Sequence, residues 1–233
     1  MQVISADETE EGGNISDETI DAQMKILNSA FEEVGYKFTL VETTRTINAH
    51  WYRDVKYYSP VETEIATTLH KGGNATLNVY TVGANNSTDY AWATTASEVQ
   101  YRPEMDGVFI NGTVLVGGSN PEKSEGKTLV HEVGHWFGLY HPFSYQCEFS
   151  FDYVDDTPHE MLDYSDPTSC EPRDSCPDHP GVDLIYNHMG YAKDSCRTSW
   201  TPGQIQRMRE QVAKFRGVVY PGIDVNNIPE DSI

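Results

Sequence analysis

One eleven-residue segment constrains this chain more than any other: His131-Glu132-Val133-Gly134-His135-Trp136-Phe137-Gly138-Leu139-Tyr140-His141, which reads H-E-x-x-H-x-x-G-x-x-H. On a helix, His131 and His135 are four positions apart, on one face and separated by about 6 Å of rise, so both imidazoles reach a single metal ion. Glu132 is rotated from them by about 100°, close enough to work on a water at the metal without being a ligand itself. Gly138 stops the helix, because glycine takes the left-handed conformation other residues resist, and the returning chain presents His141 as a third nitrogen. Three neutral imidazoles on Zn²⁺ leave a position open for water, the arrangement of a catalytic site. Zinc lowers the pKa of that water and polarises a carbonyl, Glu132 takes the water's proton and hands it to the leaving amine, and peptide-bond hydrolysis is the reaction best served.

The rest of the chain has to hold that helix in place. Ser16 reads as an N-cap before Asp17 and Glu18, and Ile20, Met24, Leu27, Phe31 and Val34 recur at helical spacing until Gly35. Tyr36, Phe38 and Leu40 alternate with polar residues and predict a half-buried strand. Ser59-Pro60-Val61-Glu62 opens a second helix that should end near Gly72-Gly73. Strand-like runs follow at Ala75 to Val82 and Gly107 to Ile110, then the helix from Lys127 to Gly138, so helices and strands interleave as in an α/β layer structure. Beyond Gly138 the texture turns to Cys, Pro, Asp and Tyr, which predicts a loop-rich half held by disulfides. A last helix starts at Thr201-Pro202-Gly203-Gln204, with Ile205, Met208, Val212 and Phe215 on one face before Gly217. The division expected is one domain over 1–217, with halves 1–141 and 142–217, and a poorly ordered acidic tail over 218–233.

Charge and cysteines narrow the setting. With 36 Asp+Glu against 16 Lys+Arg, the net charge of −20 and the lack of any basic stripe argue against nucleic acid. No stretch reaches the length of a membrane span. The N-terminus lacks the basic and apolar segments of a secretory signal. Yet Cys147, Cys170, Cys176 and Cys196 crowd together without a C-x-x-C pair, as disulfide cysteines do, and three pairings are open. Glycosylation sequons begin at Asn14, Asn74, Asn85, Asn86 and Asn111. A mature form or fragment whose signal lies upstream reconciles these facts; cytosolic expression is the alternative. The charge also makes basic or neutral protein substrates the expectation.

The long motif resembles the signature of the metzincin zinc peptidases. Asn187-His188-Met189-Gly190-Tyr191 is similar to the Met-turn of that clan, with Met189 as the floor beneath the zinc ligands and Tyr191 where several metzincins place a catalytic tyrosine; ordinary packing roles for both are the alternatives. Within the clan the chain resembles the pappalysins, and small secreted fungal metalloproteases in particular, through Leu129 to Pro142, Asp155-Asp156-Thr157-Pro158, Asp174-Ser175-Cys176-Pro177, Asn187 to Tyr191, Asp194-Ser195-Cys196 and Thr201 to Gln204. The resemblance implies an α/β metzincin domain with a twisted, mostly parallel sheet, disulfides Cys147–Cys176 and Cys170–Cys196, protein or peptide substrates, and a monomer. It also implies calcium in the loop carrying Asp152, Asp155, Asp156 and Thr157, where a solvated acidic face is the alternative. Two departures stand out: Gly190 replaces an acidic residue, and the chain begins inside the family's first strand. Asp194 is a candidate wall of the pocket beyond the scissile bond. Against an active peptidase stand a catalytically silent zinc module of the same fold, which the intact Glu132 disfavours, and a zinc amidase acting on small substrates.

Overall fold

The computed structural model describes residues 1–84, 89–144, 147–148, 151–163, 165–229 and 231. In chain order the elements are β1 (Gln2–Ser5), α1 (Asp17–Ala30), β2 (Thr44–Ile47), α2 (Ala49–Asp54), α3 (Pro60–Leu69), β3 (Val79–Val82), β4 (Ala91–Ala93), β5 (Val108–Asn111), α4 (Lys127–Trp136) and α5 (Pro202–Gln211), with short 3₁₀ turns between several of them. The strands form one sheet in the order β2-β1-β3-β5-β4. All pairs are parallel except β4 with β5, where Trp92 sits opposite Phe109. The fold class is therefore the expected one, an α/β domain with a parallel-dominated sheet and a loop-rich second half.

The period-two alternation of the strands sends side chains to two faces, each covered by helices. Val79, Val108 and Ile110 face α1 and α4 with Leu27, Leu129, Val130 and Val133. Ile4, Tyr80, Val82, Phe109 and Trp92 face the other way, against Trp51 of α2 and Ile65 and Ala66 of α3. Met189, Trp200, Met208 and Val212 from the second half belong to the first of these clusters, so the two halves share one core. β1, though it opens the chain, is fully buried and paired on both sides.

Helix starts follow the caps. Ser16 accepts from the Thr19 amide, Ser59 from Glu62, and Thr201 from Gln204. The first helix closes earlier than its periodicity predicts: the last turn, Phe31 to Gly35, loosens, and Gly35 ends it at φ +88°. The strand predicted at Tyr36 to Leu40 does not form. The Asn28 side chain donates to the Phe38 carbonyl (3.0 Å) and accepts from its amide (2.7 Å), so this backbone is satisfied without a neighbouring strand. Its rings turn inward instead: Tyr36 and Phe38 lie 5.3 and 5.7 Å from Phe137. The ladder predicted from Ala75 runs only over Val79–Val82.

The second half carries Cys147–Cys176 and Cys170–Cys196. They close loops of 29 and 26 residues, and restricting the unfolded chain this way is worth about 3.5 kcal/mol each. The tail is tied down more than its composition predicts: Tyr220 lies beneath the Arg209 guanidinium, 3.9 Å from ring centroid to Cζ, and Arg207 holds Asp231 through two bonds of 2.8 Å. Among the described residues no helix is long and apolar enough to cross a membrane.

Candidate active site

Helix α4 ends as the motif requires. Gly138 adopts φ +97°, the Leu139 amide reaches back to the Gly134 carbonyl (3.0 Å) and the Gly138 amide to that of His135 (2.8 Å), a Schellman closure that redirects the chain so that His141 meets its two partners. The three Nε2 atoms form a near-equilateral triangle: 3.2 Å between His131 and His135, and 3.0 Å from His141 to each of them. Nδ1 of His131 donates to the His188 carbonyl (2.8 Å) and Nδ1 of His135 to the Leu139 carbonyl (2.9 Å). Because a carbonyl only accepts, those bonds fix the tautomer and leave Nε2 of both rings as bare lone pairs. Lone pairs 3.2 Å apart repel unless a cation lies among them. Burial also drives the proton off each ring: His135 falls to about 4, and His131 and His141 fall well below the ordinary imidazole value, with the neighbouring rings adding to the effect. Neutral nitrogens separated by roughly the edge of a tetrahedron with 2.0–2.1 Å bonds fit a zinc ion. Among the described residues this is the one cluster whose ligand atoms converge in that way.

Around the triangle, Glu132 is buried and lines the cavity that the imidazoles face. Burial raises its carboxyl to about 8, against the opposing pull of Arg197 and Lys123. Tyr191 stands beside the ligands, its ring centroid 5.0 Å from that of His141 and 5.7 Å from His131. Met189 is fully buried, and a Cβ on Gly134 would come within 2.6 Å of its sulfur. Position 134 is thus glycine because the methionine passes directly under the helix. The turn bearing Met189 is anchored by a mutual amide pair, Asn187 with Gln204 (2.7 and 3.0 Å), and Gln204 also completes the α5 capping box.

Some expectations change. His188, to which the sequence gave no role of its own, is buried against Trp200 (4.5 Å between centroids), and its carbonyl orients His131. No spacing rule marks a backbone acceptor 57 residues away. Asp194 is 1% exposed and faces away from the cavity: one oxygen accepts from the Glu125 and Lys127 amides at the start of α4, and the other pairs with Arg197. Arg197 itself lines the cavity, with Lys123, Thr128 and Thr168, and the sequence carried no signal for the lysine. In the acidic loop, Asp152 accepts from the Val154 amide and the Thr157 hydroxyl, and Asp156 accepts from Thr201 and Gly203 at the start of α5. Asp155 is exposed. Protein donors thus take up oxygens that the sequence offered to calcium. Asn111, Asn74 and Asn14 of the sequons all use their side-chain amides within the fold, donating to the carbonyls of Gly83, Phe215 (3.2 Å) and Glu8 (2.9 Å), and Asn85 and Asn86 lie outside the described residues.

Comparison with known proteins agrees with this geometry. Residues 67–213 match the peptidase family described as pregnancy-associated plasma protein-A. An extracellular metalloprotease of Pyricularia oryzae is 39% identical over 219 residues, covering 93% of this chain and 74% of the relative. Extracellular metalloprotease 1 of Coccidioides posadasii is 38% identical, covering 93% and 76%. Among solved structures, mature mirolysin of Tannerella forsythia in complex with a cleaved peptide superposes with a TM-score of 0.70, covering 90% of this chain and 88% of that one at 24% identity, which makes the fold that of a metzincin. A histidine triad on a Schellman-terminated helix, matched over more than half the chain by one peptidase family and nearly end to end by metalloproteases, places this chain in the pregnancy-associated plasma protein-A family, the pappalysins, as a metalloendopeptidase.

Proposed function

We propose that this chain is a secreted zinc endopeptidase in which His131, His135 and His141 hold one Zn²⁺ and Glu132 moves the proton. The observation that carries the reading is the triangle of Nε2 atoms, two of them fixed as lone-pair donors by carbonyls on their far sides. Zinc bound there would supply Lewis acidity, polarising the scissile carbonyl and acidifying water. Glu132 then accepts the attacking water's proton and delivers it to the leaving amine; a carboxyl in a site this closed to solvent exchanges protons near neutral pH more readily than an exposed one. Tyr191, its ring beside those of His131 and His141, would donate to the oxygen on which negative charge develops. Met189 keeps the ligand-bearing helix at a fixed height over the Asn187–Tyr191 turn.

The substrate's path is set by β4. Among the described residues it pairs on one side only, with β5, and Ala91 and Ala93 line the cavity. An extended peptide can add to that free edge through main-chain hydrogen bonds, which makes few demands on sequence. Secretion is supported by the two disulfides and by relatives named as extracellular enzymes. The purified protein should contain one equivalent of zinc and cut casein, lose the activity to a zinc chelator, and regain it when zinc is restored. Cleavage that persists in zinc-free protein would overturn the proposal.

A further inference from the structure

The cavity beside the triad has one wall whose charge is opposite to that of the molecule. Lys123, half-buried, holds its ammonium 5.4 Å above the ring of Tyr191, and among the described residues no carboxylate comes within ion-pair distance of it. Of the acids near it, Glu132 faces the same cavity outside ion-pair distance, and the other two are engaged elsewhere. Asp194 pairs with Arg197 and caps α4, and Glu122 turns to Lys193 (3.5 Å). Arg197, 2% exposed on the same wall, donates to Asp194 and to the Thr128 hydroxyl (3.4 Å), yet among the described residues its Nε–H has no acceptor. Among the described residues the wall therefore carries one cation without an ion-pair partner and one unused donor. Burial, with Arg197 adding to it, lowers Lys123 to about 8, against the opposing pull of Asp194, Glu122 and Glu132.

Where a substrate would meet this wall follows from Glu132. Thr128 lies one helical turn before Glu132 on α4 and accepts from Arg197 (3.4 Å), and both line the cavity with Lys123, so this wall adjoins Glu132. Glu132 gives its proton to the leaving amine, and that amine begins the C-terminal product. We propose that the recess bounded by Lys123, Thr128, Thr168 and Arg197 selects an acidic side chain, Asp or Glu, on the residue immediately C-terminal to the scissile bond, with Lys123 as its ion-pair partner. The inference rests on the peptidase reading above and adds the substrate class. It also reverses the expectation drawn from net charge. Carboxylates scattered over the surface are screened beyond about 8 Å at physiological salt, while a half-buried ammonium at the recess is not.

Three peptides identical except for Glu, Gln or Lys after the cleaved bond test this, with the bond verified by mass spectrometry. A charge-assisted hydrogen bond in a partly closed site is worth on the order of tenfold, so kcat/KM should favour Glu over Gln by about that factor, with Lys the poorest. Lys123→Met should bring the Glu/Gln ratio close to one, and Lys123→Glu should turn the preference towards Lys. As a second readout, zinc-loaded Glu132→Ala, which leaves the peptide intact, should bind the Glu peptide more tightly than the Gln peptide. Equal rates for Glu and Gln in the parent enzyme, or a ratio that survives Lys123→Met, would overturn the inference and leave the peptidase reading standing. If nothing is cut, the peptidase reading fails, and the binding comparison still decides: equal affinities overturn the acidic preference.

Discussion

Gly134 lies between Glu132 and His135, and its replacement by alanine tests how α4 is seated. The new Cβ would stand 2.6 Å from the Met189 sulfur, with the far edge of the Trp200 ring at 3.2 and 3.4 Å closing the way around it. Ordinary non-bonded contact is about 3.5–4.0 Å, so helix and turn must part by roughly 1 Å. Overpacking of this kind costs about 1–3 kcal/mol, and alanine returns up to about 1 kcal/mol of helix propensity. The net loss should be about 1–2 kcal/mol, or roughly 2–8 °C in Tm for a domain of this size. Because the turn that moves also supplies the carbonyl holding His131, a displacement of about 1 Å should lower kcat/KM by up to about 10²-fold. Thermal unfolding followed by circular dichroism and casein cleavage measure the two effects. In a Met189→Ala background the same substitution should become neutral or stabilising, since the sulfur it strikes is gone. A Gly134→Ala enzyme with full activity and an unchanged or higher Tm would refute the claim that Met189 sets the height of the helix.

Two further outcomes follow from the surroundings of the site. Arg216 and Asp106, each about 1% exposed, pair through two bonds (2.8 and 3.1 Å), and Arg216 also donates to the Trp136 carbonyl (2.9 Å) at the end of α4. Arg216→Met strands a buried carboxylate and should cost about 3–5 kcal/mol in thermal unfolding; a loss below about 1 kcal/mol would mean that the pair is not what clamps that end of the helix. Glu160 is buried beside Asp183, with its carboxyl raised by burial to about 7 against an ordinary value of 4.5. Above about 7 the folded chain holds a buried charge that the unfolded chain solvates, so this residue's contribution to stability falls as pH rises from about 4.5 through 7. Glu160→Gln should therefore unfold at a higher temperature than the parent at pH 8 and at the same temperature near pH 5, and a gain independent of pH would contradict that origin.

The motif was legible because it is local: its ligands are four and six residues apart, and a helix with a glycine stop is enough to bring them together. Capping residues Ser16, Ser59 and Thr201 marked three helix starts for the same reason. What escaped depended on contacts far apart in sequence. The run from Tyr36 alternates like a strand, but Asn28 takes its hydrogen bonds and Phe137 its rings. Asp194 has the residue type of a specificity wall, yet it is consumed by two amides and a guanidinium. Lys123 stands in a segment without periodicity and gains its meaning only from what surrounds it. The short antiparallel strand β4 was missed because three residues between turns carry too little pattern, although its free edge is what a substrate would meet.

The central claim, that Glu132 moves the proton in a site built to hold zinc, is tested most directly by Glu132→Ala. Metal content and casein cleavage should be measured on the same sample. The account predicts one equivalent of zinc in parent and variant alike, and a loss of at least about 10³-fold in kcat for the variant, since both proton transfers fall to this one group. A variant that keeps its zinc and still cleaves at a comparable rate would contradict the assignment.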